Sequence, residues 1–192
     1  MAIQSNLKNM AIVLTSVCLV CSALLAITYA ATSEPIRASS LKALQVSLGE
    51  VLPDGGEIAV EPRVVSVDGK DYEYYTQTTG GNVSALAVKS TVAGFGGPLT
   101  VLVGVQPGDV VYATKVLFHS ETPGLGAKCQ SDENFLKQFR GFDASKYKLA
   151  VGKDGGDIDA ITASTITSRA YTLAVENAVK VAAELLKNSG NE

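Results

Sequence analysis

The chain has 192 residues, 46% hydrophobic and 18% charged, with 16 Lys and Arg against 19 Asp and Glu for a net charge of −3. That length supplies one good core plus an appendage, and the charge balance lacks the basic footprint of a nucleic-acid binder. Three cysteines, two of them in an apolar run, make neither a disulfide framework nor a metal spacing, and the lone histidine, His119, excludes a multi-His metal site.

No residue from Asn9 to Ser33 is charged, and Met10 to Tyr29 is near the length needed to cross ~30 Å of hydrocarbon. Two readings of this segment are open. Thr28-Tyr29-Ala30 offers a cut site for a signal peptide, but the run exceeds the usual ~7–15-residue signal core and its basic flank is a single Lys8. A retained signal anchor is the favoured expectation, with residues 1–9 a short cytoplasmic tail by the positive-inside rule, 10–31 the transmembrane anchor and 32–192 an extracytoplasmic domain.

Pro35 to Val51 reads as a helix continuing from the anchor, with Pro35 in a first turn and Leu41, Leu44, Leu48 and Val51 at three- and four-residue spacing. Pro53-Asp54-Gly55-Gly56 ends it. Glu57 to Ser66 and Tyr72 to Gln77 flank a hairpin turn at Asp68-Gly69. Further β-type runs follow at Val83–Thr91, Leu99–Val105 and Val110–Phe118, the last two joined through Gln106-Pro107-Gly108-Asp109. Ser131 to Phe142 predicts a short helix, Tyr147 to Val151 a short strand, and Ser168 to Lys187 a closing helix that turns Ala170, Leu173, Ala174, Val181 and Leu185 to a core. Strands in succession bracketed by helices predict an α+β fold, a mostly antiparallel sheet with packed helices, preceded by one N-terminal transmembrane helix. Cys129 reads as a plain thiol.

Asp159-Ala160-Ile161-Thr162-Ala163-Ser164-Thr165-Ile166-Thr167-Ser168 crowds hydroxyls where a loop enters the closing helix. Unpaired amides and the positive end of the helix dipole favour phosphate there, although Ser and Thr also serve as ordinary caps. A second polar segment, His119-Ser120-Glu121-Thr122-Pro123-Gly124-Leu125-Gly126, follows the Val110–Phe118 run directly, and its local reading is a Pro-Gly turn from strand to helix.

With Gly94-Phe95-Gly96-Gly97-Pro98-Leu99 ahead of them, these segments resemble the FMN-binding domain family shared by the RnfG and NqrC electron-transport subunits. The resemblance spans about Ile36 to Leu186, and every fixed position of the family's His-x-Glu-Thr-Pro-Gly-Leu-Gly loop is matched. In that family FMN is joined by a phosphoester bond to the last Thr of a Ser/Thr-Gly-Ala-Thr motif after an Asp. The corresponding residues here are Thr162-Ala163-Ser164-Thr165, behind Asp159. Ala163 and Ser164 depart from the family's Gly and Ala: Ala tolerates a positive φ less well than Gly, and Ser164 sets a second hydroxyl beside the acceptor. The compact domain resembles the RnfG branch more than the generally longer NqrC one.

The resemblance implies covalent FMN on Thr165, with Thr162, Ser164, Ile166 and Thr167 at the phosphate, and Glu121, Thr122, Gly124 and Leu125 along the isoalloxazine ring. No residue is assigned a catalytic role, and none a metal. It further implies an inner-membrane, single-pass subunit of an ion-pumping complex running between ferredoxin and NAD, matured by a flavin transferase. The sequence has no iron–sulfur Cys cluster and no dinucleotide Gly motif, so those steps fall to integral-membrane and iron–sulfur partner subunits of the Rnf type. Two alternatives stay open: a secreted or NqrC-like FMN carrier, and a non-flavin binding module if Ala163-Ser164 marks loss of the modification.

Overall fold

The computed structural model describes residues 7–189, so residues 1–6 of the expected cytoplasmic tail lie outside the described residues. The chain divides into two compact units, one ending at Leu44 and the other starting at Gln45. Helix α1 (Leu7–Val51) is 45 residues long and holds the charge-free apolar stretch, which is long and apolar enough to cross a membrane and has none of that stretch buried. Pro35 lies inside α1 rather than in a first turn. Its missing N–H removes one backbone hydrogen bond, and helix-forming residues on both sides carry the helix past it.

The second unit is built on one antiparallel sheet: β1 (Glu57–Ile58), β2 (Arg63–Val67), β3 (Lys70–Thr79), β4 (Asn82–Ala93), β5 (Pro98–Gln106), β6 (Val110–His119) and β7 (Phe142–Asp143). The order across it is β1-β3-β4-β5-β6-β7, with β2 paired to β3 alongside β1. β2 and β3 meet at Val67↔Lys70, so Asp68-Gly69 makes the two-residue hairpin turn its sequence predicts. The expected run from Glu57 to Ser66 is broken into β1 and β2, each on its own stretch of β3.

β5 is buried on both faces, which is why it reads as a nearly unbroken apolar run. Its odd-numbered residues Val101, Val103 and Val105 join Leu86 and Val88 of β4 under α3 (Thr165–Ser189), against Ala174, Val175, Ala178 and Val181. On the other face the end of α1 seats itself, with Leu48, Val51 and Leu52 buried and the Val51 carbonyl against Gly104. Tyr171 of α3 is fully buried between Phe135 and Phe139, with ring centroids 5.1 and 4.9 Å away, and donates its hydroxyl to Thr114 Oγ1 at 2.8 Å.

Several local expectations are corrected. α3 starts at Thr165, three residues before the expected Ser168, because the Ser168 N–H already donates to the Ser164 carbonyl at 2.9 Å. Leu173 is 47% exposed, since the helix turns Tyr171 and Ala174 to the core instead. The Ser131–Phe142 helix shrinks to α2 (Glu133–Leu136), capped by Asp132, then a 3-10 turn; Phe142 is drawn off to pair with Val111 of β6. Tyr147–Val151 is not a strand. Its backbone instead bonds the neighbouring turn, Asp157 N–H to the Lys148 carbonyl at 3.2 Å and Ile158 N–H to that of Ala150 at 3.1 Å, leaving one bridge at Val151.

Candidate functional site

The β4–β5 loop, the loop after β6 and the start of α3 converge on one cleft of about 370 Å³, within the range of small-molecule sites. Phe95, Glu121, Thr122, Leu125, Gly126, Ala163, Ser164, Thr165, Ile166 and Thr167 line it. Among these described residues Glu121 is the only ionisable one, and it is 6% exposed.

Glu121 is held by, and holds, the other two segments. Its Oε1 accepts the Phe95 N–H at 2.8 Å and its Oε2 accepts the Thr167 hydroxyl at 2.9 Å. A buried carboxylate needs such donors to offset its lost hydration. The packing around it leaves no room at Gly126, where a Cβ would collide with Glu121 Oε2 and approach Thr167 Oγ1 to 2.7 Å. Behind it, the Glu121 N–H donates to His119 Nδ1 at 3.3 Å, and His119 Nε2 lies 2.9 Å from Gln130 Oε1. An imidazole that accepts at Nδ1 carries its proton at Nε2, so Nε2 donates to Gln130. Glu121 is thus a brace between three segments. The thiol of Cys129, fully buried near it, is pushed up to about 11, by burial first and the Glu121 charge second.

Thr122 enters the cleft wall, while its carbonyl accepts the Leu125 N–H at 3.2 Å to close a turn over Pro123-Gly124. Gly124 has φ 77°, the left-handed value that the third position of such a turn requires. It does not line the cleft, so its glycine serves the turn rather than approach to a ligand.

On the opposite wall, the Ser164 N–H donates to the Ile161 carbonyl at 3.0 Å, closing a turn over Thr162-Ala163. Ala163 takes φ 61°, a conformation that costs a Cβ-bearing residue about 1–2 kcal/mol. This is the position where the resembled family has Gly. α3 then begins at Thr165, and the first amides of a helix have no intrahelical partner. Ser168 is spent on structure, donating to the Ser164 carbonyl at 2.9 Å and accepting the Ile161 N–H at 3.0 Å.

Of the residues expected at the site, Thr165, Ser164, Ile166, Thr167, Glu121, Thr122 and Leu125 meet in the cleft. Thr162 does not; it faces a neighbouring depression with Asp132, Gln138 and Asp159, because the turn at Ala163 sends it the other way. Phe95 joins the site without having been expected there. It is 69% exposed at the rim, and its one sequence signal is an aromatic set among glycines in Gly94-Phe95-Gly96-Gly97. With Leu125 and Ile166 it gives the cleft an apolar border that suits a flat ring, while the helix start suits a phosphate. The donor set therefore fits a flavin mononucleotide.

Residues 94–180 match the FMN-binding domain family, and residues 1–51 match the RnfG N-terminal region. The chain is 34% identical over 160 residues to the RnfG-type subunit of the ion-translocating oxidoreductase complex of Cereibacter sphaeroides, covering 79% of this chain and 73% of that one. It is 33% identical over 185 residues to the corresponding subunit of Vibrio cholerae, covering 90% and 88%. Among solved structures it is similar to NqrC of Shewanella oneidensis at 23% identity over 62% of each chain, with a TM-score of 0.49.

Proposed function

The chain belongs to the RnfG family of ion-translocating oxidoreductase complex subunits, and on that footing we propose that it is a membrane-anchored electron carrier holding FMN through a phosphoester bond to Thr165. When bound, FMN supplies one- and two-electron transfer, so the chain's residues need only place and tune it. They do so from two sides. The amides of Thr165, Ile166 and Thr167 face the phosphate with the positive end of α3. Phe95, Leu125 and Ile166 enclose the ring and exclude water, and the Thr122 hydroxyl hydrogen-bonds its polar edge. Glu121 keeps both walls in register and has no proton role.

The observation that carries this reading is how the hydroxyls are committed. Thr162 faces away, Thr167 is given to Glu121 and Ser168 to the Ser164 carbonyl. Ser164 is buried. Thr165 lines the cleft, is half-buried, and its Oγ1 makes no hydrogen bond to the described residues. It is the accessible nucleophile of the set.

Partner subunits of the complex, integral-membrane and iron–sulfur, oxidise ferredoxin, reduce NAD and move the ion. α1 keeps the chain in the inner membrane with the domain from residue 32 on the extracytoplasmic side. Ultraviolet in-gel fluorescence of the denatured protein, coexpressed with a flavin transferase, tests the attachment. A fluorescent wild-type band, lost in Thr165→Ala and kept in Thr162→Ala and Thr167→Ala, is the expected result. A dark wild-type band beside a working control sinks the covalent reading, and fluorescence persisting in Thr165→Ala moves the site. Carbonate extraction tests the anchor: release of the chain from the membrane would mean cleavage after Ala30.

A further inference from the structure

The hydroxyl beside the proposed attachment point has no structural employment. Ser164 precedes the first residue of α3, is 6% exposed and lines the cleft. Its backbone is fully used, the N–H by Ile161 and the carbonyl by both the N–H and the hydroxyl of Ser168. Its Oγ makes no hydrogen bond within the described chain. A serine at this position ordinarily caps the helix by accepting an amide of the first turn; here it does not. Burying a hydroxyl with nothing to bond is unfavourable, and few native groups are left so.

We propose that Ser164 is a phosphate-binding residue, its hydroxyl donating to a non-bridging oxygen of the FMN phosphate. The inference rests on the reading that FMN is carried by Thr165. Everything around the hydroxyl favours an anionic acceptor. The neighbouring groups at the helix start are amide donors, and the one carboxylate of the wall, Glu121, is already given to the Phe95 N–H and the Thr167 hydroxyl. Ser164 is too buried to serve as the esterified residue itself, whereas its neighbour Thr165 is half open to the cleft. Division of labour follows: Thr165 carries the ester, and Ser164 supplies a hydroxyl donor that adds to the first-turn amides.

The test uses the full-length protein in detergent, made without a flavin transferase, titrated with FMN and with riboflavin by quenching of flavin fluorescence. Ser164→Ala is expected to weaken FMN by about tenfold, the low end for a hydrogen bond to a charged group, and to leave riboflavin, which has no phosphate, unchanged. The flavin-free variant should melt at or above the wild-type temperature, since the hydroxyl is unspent there. Unchanged FMN affinity, an equal loss for riboflavin, or a lower melting temperature without flavin would each overturn the assignment, the last by making Ser164 a plain cap. No saturable FMN binding by the wild type also overturns it, while the gel experiment judges the covalent attachment separately.

Discussion

The two walls of the cleft are made of similar small polar residues and use them in opposite ways. On the loop wall, each polar group is tied down: His119 to Gln130 and the Glu121 N–H, Glu121 to Phe95 and Thr167, the Thr122 carbonyl to Leu125 and Ala127. On the helix wall, Ser164 and Thr165 keep their hydroxyls uncommitted among the described residues, and Ala163 is held in a left-handed conformation to present them. One wall is scaffold and the other is receptor. Thr167 alone crosses over, lending its hydroxyl to the scaffold from the receptor side. Binding groups must be left unsatisfied to bind, and the cost of leaving them so is met by over-determining the residues that hold them.

Removing the brace tests this contrast most severely. Glu121→Ala strands the Phe95 N–H and the Thr167 hydroxyl in a dry site, and is expected to cost about 3 kcal/mol. Glu121→Gln, which keeps an acceptor in place, should cost less than half as much. Chemical denaturation followed by circular dichroism measures both, and equal losses would mean that the charge rather than the geometry does the holding.

The scaffold wall also has a pH signature. Cys129 is pushed up from its usual value of 9 to about 11, so the folded state holds the thiol proton more tightly than the unfolded chain does. Stability from this group is therefore fully present below about pH 9 and lost as pH rises towards 11, on the order of 2 kcal/mol in all. Melting temperatures taken across that window should fall less steeply in Cys129→Ala. The same burial predicts that Cys129 resists alkylation at pH 8 until the chain is unfolded.

Thr167→Ala removes the single tie from helix wall to brace, for an expected loss of about 1–2 kcal/mol, yet flavin should stay on Thr165 because the acceptor and the first-turn amides remain. Flavin lost in this variant would erase the distinction between the walls. Ala163→Gly is the smallest change and the only one expected to stabilise, by about 0.5–1 kcal/mol, as relief of left-handed strain outweighs the added freedom of glycine in the unfolded chain. A lower melting temperature would show that the Ala163 conformation carries no strain.

Much of this is legible without any tertiary contact. The apolar stretch of α1 declares itself by length and the absence of charge, both local properties. β3 to β6 announce themselves by β-branched runs between turn residues, and the Asp68-Gly69 turn by its own dipeptide. The segments that form the cleft stand out as motifs. Where local signals compete with distant partners, reading along the chain goes wrong: Tyr147–Val151 has strand composition but bonds a neighbouring turn, and Leu173 has helical spacing but yields the core to Tyr171.

At the site the division is sharper. Sequence alone determined which residues are chemically able to hold a phosphate and a flat ring, because hydroxyls, glycines and a helix start are written in the chain. Tertiary structure decided which of them are free to do so. Glu121 meets Phe95 across 26 positions and Thr167 across 46, and those two bonds commit the Thr167 hydroxyl and bring Phe95 to the border of the cleft. The turn at Ala163 sends Thr162 away and leaves Ser164 and Thr165 facing inward. A hydroxyl's availability depends on what lies within about 3 Å of it, and that neighbourhood is assembled from segments far apart in the chain.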